Sequence, residues 1–93
     1  MKWYSFLNIS PKIGERILVI REWIDYDFEL NKPKRCCALY ECNFEGIKRN
    51  ICRGAERTII NLTNLKLIAG EELTNFFQSQ YFVERTVHWT RLH

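Results

Sequence analysis

The sequence predicts an α+β, β-rich fold: a small twisted antiparallel sheet, or a partly open barrel, with one short helix. Three observations predict it. Stretches with a side-chain period of two recur along the chain. Gly, Pro and Asn punctuate them at short intervals, and only one stretch shows helical spacing. The 93 residues make a single domain, 1–93. Hydrophobic residues at 46% and aromatics at 14% supply a core and exclude a disordered segment.

The closing stretch, Val83 to Leu92, carries Val83, Val87 and Trp89 at alternate positions. It reads as one half-buried strand with His88 pointing away from Trp89. Trp89 needs an apolar bed and a partner for its indole N–H. In so short a chain the other terminus is the natural source, and Trp3 is the expected counterpart. Lys2 to Leu7 reads as a short pairing segment, and Pro11-Lys12-Ile13-Gly14 as a turn.

Ile17-Leu18-Val19-Ile20 is a continuous apolar run, predicted to be a strand buried on both faces and extending through Ile24. Asp25 to Lys34 reads as a charged loop or hairpin end. From Arg35 the period is two again, with Cys36, Ala38, Tyr40, Cys42 and Phe44 on one face. Glu45-Gly46 predicts a tight turn, Ile47 to Cys52 a returning strand, Arg53 to Glu56 a second turn, and Thr58 to Leu62 a further strand. After Gly70, Leu73, Phe76, Phe77 and Gln80 or Tyr81 fall at helical spacing behind Glu71 and Glu72.

No catalytic signature is present, so the chain reads as a non-enzyme. Cys36, Cys37, Cys42 and Cys52 invite a zinc site, but in a strand Cys37 and Cys42 face opposite ways, and Cys36 and Cys42 stand about 20 Å apart. Buried reduced thiols are the expected state. A Cys42–Cys52 bridge requires the two to lie opposite each other on paired strands. Asp25, Asp27 and Glu29 offer no more than a solvated acidic run, and no cofactor is expected. No apolar run reaches the ~20 residues of a membrane span. The N-terminus lacks the features of a secretory leader, which predicts a cytoplasmic protein.

Charge is the remaining clue. The net charge is +3. The segment Lys32–Arg57 holds seven basic and three acidic residues, net +4, leaving −1 for the remainder. Lys34, Arg35, Lys48, Arg49, Arg53 and Arg57 are the candidate partner-binding residues, beside Tyr40 and Phe44. Glu22, Asp25, Asp27 and Glu29 form an alternative acidic surface that would mimic phosphate charge.

Trp3, Pro11-Lys12-Ile13-Gly14 with the strand behind it, Ala38-Leu39-Tyr40 and Val87-His88-Trp89-Thr90-Arg91-Leu92 together resemble the phage- and prophage-borne domain-of-unknown-function family 551. The resemblance covers about a third of the chain, mainly its two ends. The family usually has Pro where Arg91 stands and Val-Thr where this chain has Thr86-Val87, and the stretch from Gly46 to Gln80 looks like an expansion. It implies a small β-rich fold, a mobile-element origin and no particular chemistry. The expected function is stoichiometric binding, as monomer or homodimer, to a host protein or nucleoprotein complex. Inhibition of a host nuclease-type defence system such as CRISPR-Cas, in the bacterial cytoplasm, is an example. The alternative is a stand-alone nucleic-acid-binding module using residues 32–57.

Overall fold

The computed structural model describes residues 2–52, 54–70 and 82–92. Three long strands form an antiparallel meander: β1 (Arg16–Asp27), β2 (Lys32–Cys52) and β3 (Ala55–Gly70). Two short strands, β4 (Phe82–Val83) and β5 (Val87–Arg91), are joined by a 3-10 turn, Glu84–Thr86. The sheet order is β4-β3-β2-β1-β5. The sheet is open, because β4 and β5 end the order without pairing to each other. The expected helix after Gly70 lies outside the described residues.

The closing stretch is therefore two strands on opposite edges. Val83 pairs with Ile59 of β3, whereas Val87 pairs with Arg21 of β1. A single turn spans the edges only because the sheet curls. Arg21 of β1 lies 4.8 Å from the Phe82 ring centroid of β4, three strands away. Three strand spacings in a flat sheet are about 14 Å. The continuous Val83–Leu92 strand is thus corrected. Val83 and Val87 keep the same alternation phase across the turn, which hides the break in the sequence.

Core residues alternate as a half-buried sheet requires. Ile17 and Val19 of β1 are fully buried, paired with Cys42 and Tyr40 of β2. Leu18 and Ile20 point to the other face and stay partly exposed. The Ile17–Ile20 run is buried on one face, not both. The face predicted for β2, Cys36 through Phe44, is the buried one.

The N-terminal segment closes the core. Tyr4 and Trp89 exchange backbone hydrogen bonds at 2.8 and 3.0 Å. Phe6 is buried against Phe44 and Trp89, with centroids at 5.7 and 6.1 Å. The indole N–H of Trp89 donates to the Ile9 carbonyl at 2.7 Å. The termini do meet, but through Tyr4 and Phe6; Trp3 is half-buried and outside the core cluster.

Turn chemistry matches expectation at Pro11–Gly14. The Glu15 N–H bonds back to the Lys12 carbonyl, with Gly14 at φ +87° in the position where such a turn needs glycine. At Glu45-Gly46 expectation fails. β2 runs straight through it as a bulge between the pairs Phe44–Leu62 and Ile47–Ile60. The Ile47–Cys52 return and the short Thr58–Leu62 strand are accordingly parts of β2 and of the longer β3, whose connection lies at residues 53–54. Cys42 and Cys52 lie on the same strand, which removes the cross-hairpin bridge. Further register shifts fall opposite Leu39/Tyr40 and Glu41/Asn43. Beside the latter, Arg16 donates to Asn43 Oδ1 (2.6 Å), Glu41 Oε2 (3.0 Å) and the Asn64 carbonyl (3.2 Å), tying three strands together.

Candidate interaction surface

Two hairpin arms leave the core at opposite ends of β2. The first, Ile24–Arg35, joins β1 to β2; the second, Ile47–Thr58, joins β2 to β3. The predicted basic residues divide between them. Lys34 and Arg35 lie on the first arm, Lys48, Arg49 and Arg57 on the second, and Arg53 outside the described residues.

The second arm divides its charges again. Register places Lys48 opposite Ile59 and Arg57 opposite Asn50, so Lys48 and Arg57 are diagonal neighbours on one face. Arg49, opposite Thr58, points to the other face, with Glu56 at 3.7 Å. Both partners there are well exposed, and such pairs contribute little. Among the described residues the basic candidates of this arm thus form a two-residue cluster, Lys48 with Arg57, on one face and a separate charge, Arg49, on the other. Net charge along a strand ignores side-chain parity, which is why the sequence suggests a patch.

The acidic residues also change meaning. Asp25 stands opposite Lys34 and Asp27 opposite Lys32. The Asp27 carboxylate accepts the N–H groups of Glu29 and Leu30 at 3.0 and 3.2 Å, and Asp25 accepts the Tyr26 N–H at 2.8 Å. These are turn-building and cross-strand roles. Asp25 and Asp27 thus face lysines across the strand pair, whereas Glu22 faces Cys37.

Apolar exposure distinguishes the first arm. Along β1 the core face carries Ile17, Val19, Arg21 and Trp23. From Ile24 onward the apolar residues fall on the other parity, Ile24 and Tyr26, continued through the turn by Phe28 and Leu30. Beyond Trp23 the core-face parity turns charged at Asp25 and Asp27 while the other parity stays apolar, and β1 pairs with β2 without a register shift. Ile24 is consequently 71% exposed, Phe28 85% and Leu30 63%. Tyr26 and Phe28 pack edge-on at 5.0 Å, and the Tyr26 hydroxyl bonds to Asn31, held at φ +54°. Ile24 ends the strand expected from the sequence, and Tyr26, Phe28 and Leu30 fall in the stretch expected to be a charged loop or hairpin end. The signal was the alternation Ile24, Tyr26, Phe28, Leu30 against Asp25, Asp27, Glu29, out of phase with the core strand before it.

An open cleft of about 450 Å³ lies at the base of this arm, lined among others by Ile20, Trp23, Ile24, Cys37 and His88. His88 is exposed on the face opposite Trp89, as expected from alternation. Cys37 is exposed, whereas Cys36 and Cys42 are buried. Burial pushes the Cys42 thiol pKa up to about 12; Arg16 opposes the shift and Glu41 adds to it. Burial likewise lowers the pKa of Arg21, partly offset by Tyr40. Among the described residues no cluster of three or more His, Cys, Asp or Glu side chains is arranged to hold a metal ion. Among them, too, no helix is long and apolar enough to cross a membrane.

Comparison with family models, with curated proteins and with solved structures returned no match. The resemblance to family 551 therefore rests on the short motifs quoted above.

Proposed function

We propose that the chain is a non-enzymatic interaction protein that binds a partner protein stoichiometrically through its β1–β2 arm. The exposed apolar run Ile24, Tyr26, Phe28 and Leu30 carries this reading. A folded sheet gains nothing from placing Ile24, Phe28 and Leu30 in water, and contiguous exposed apolar side chains mark interaction surfaces. Burying each against a partner is worth about 1.5–3 kcal/mol. The charges flanking them supply orientation more than affinity. A host nuclease or nucleoprotein defence complex, encountered by a mobile-element product, is the first partner class to assay.

The test compares Ile24→Ser/Phe28→Ser with Lys48→Glu/Arg57→Glu. Both replace exposed side chains, so both variants are expected to fold. A stoichiometric complex captured by the parent chain should be lost with the first variant and kept with the second. Titration of single- and double-stranded DNA and RNA at two salt concentrations provides the contrary outcome. Steeply salt-dependent binding, abolished by Lys48→Glu/Arg57→Glu and untouched by the arm variant, would replace this reading with the nucleic-acid module.

A further inference from the structure

Among the described residues the outer side of β1 is paired over only five of its twelve positions. β5 covers it from Ile17 to Arg21, ending at Val87, where the chain turns through Glu84–Thr86 towards the opposite edge. From Glu22 to Asp27, β1 remains hydrogen-bonded to β2 on its inner side, and among the described residues no strand lies on its outer side. In an antiparallel ladder every second residue then turns its N–H and C=O outward. Such an edge is a template for another strand. The cleft at the arm's base opens where β5 stops, beside Trp23 and Ile24.

We propose that this edge takes up an extended, basic segment of a partner protein as an antiparallel strand in line with β5. One of the segment's apolar side chains would enter the cleft over Ile20, Trp23 and Ile24. The inference rests on the protein-binding reading above and names the form of the partner. Charge selects the occupant. The edge carries Glu22 on one face and Asp25 and Asp27 on the other, with no basic residue between Glu22 and Leu30. Lys34 and Lys32 stand opposite Asp25 and Asp27 on the β2 side, while Glu22 faces Cys37 and shares the cleft with Arg35, which stands opposite Ile24. A strand alternating apolar residues with Lys or Arg sets its basic side chains beside Asp25 and Asp27 and its apolar ones beside Ile24 and Tyr26 on the other face. A second copy of the chain fits less well: antiparallel pairing joins residues of like parity, so centring two such edges on Asp25 sets that carboxylate against its own copy, and centring them on Ile24 leaves Asp25 opposite Trp23 with no basic partner.

Short synthetic peptides alternating valine with lysine, valine with glutamate, or valine with lysine around a central proline are the probes. Two readouts localise binding: hydrogen exchange at the amides of Glu22–Asp27, and the alkylation rate of exposed Cys37 in a Cys52→Ser background. The lysine peptide should bind about tenfold more tightly than the glutamate peptide, protect alternate amides from Glu22 to Asp27 and slow alkylation of Cys37. The proline peptide, which cannot complete the ladder, should do neither, and Glu22→Lys/Asp25→Lys should invert the preference. Equal binding of the lysine and glutamate peptides, protection elsewhere, or self-association that protects the same amides overturns the proposal. No protection by any peptide overturns it as well. Should the Ile24→Ser/Phe28→Ser variant still abolish partner capture in that case, only the edge proposal fails. Edge protection by the lysine peptide, with capture indifferent to the arm variant, removes the arm-surface reading instead.

Discussion

Cys42 shows how one buried group ties stability to pH. Its thiol sits at full burial between β1 and β3, and that burial, more than the nearby charges, holds its pKa far above the ordinary 9.0. The unfolded chain can ionise this thiol above pH 9, and the folded chain resists until about pH 12. The stabilisation is therefore fully present below pH 9 and is lost as pH rises through that window. The difference in unfolding free energy between the parent and Cys42→Ala should accordingly shrink by up to about 1.4 kcal/mol per pH unit above 9. Urea titrations at several alkaline pH values measure it, and a pH-independent difference would contradict the assignment. Gly70 carries a different, steric constraint. A Cβ there would stand 2.3 Å from the Cys37 carbonyl oxygen, so the close approach of β3 to β2 at Ala38 depends on a residue with no side chain.

At the scale of elements, the arms and the core differ in kind. A two-stranded hairpin beyond its core is marginal in water, whereas the central parts of β1 and β2 are flanked on both sides. Native-state hydrogen exchange should separate them: amides of Ile24–Arg35 and Ile47–Arg57 should exchange orders of magnitude faster than those of Ile17–Val19 and Ala38–Phe44. Uniform protection across β2 would show the arms to be integral to the cooperative unit. Elements were also where the sequence was unevenly legible. The alternation from Cys36 to Phe44 identified the buried face of β2, because a period of two admits only one sidedness. Gly46 misled, because a positive φ serves a bulge as readily as a turn, and only the partner strand decides between them. The same alternation divides the basic candidates: Lys48 and Arg49 are neighbours in sequence and belong to opposite faces.

For the whole molecule, closure rests on residues far apart in sequence. The need of Trp89 for an apolar bed and a carbonyl partner was readable. That Tyr4, Phe6 and Ile9 provide them, in place of Trp3, depended on which face the N-terminal segment presents, and pairing at a single bridge leaves no periodicity to read. Trp89→Phe should cost about 2–4 kcal/mol by urea unfolding, from lost volume and an orphaned Ile9 carbonyl. Trp3→Phe should cost less than about 1 kcal/mol. The reverse order would restore Trp3 as the lock.

The passage of residues 82–91 from one edge of the sheet to the other also bears on how the molecule is made. A chain grown only as far as Gly70 owns the whole meander but neither Phe82, Val87 nor Trp89, so its concave side stays wet. Such a precursor would expose Tyr40, whose ring packs on Phe82, together with two vacant borders. Maturation is thus tied to the arrival of a late segment, and so distant a pairing makes a slow final step.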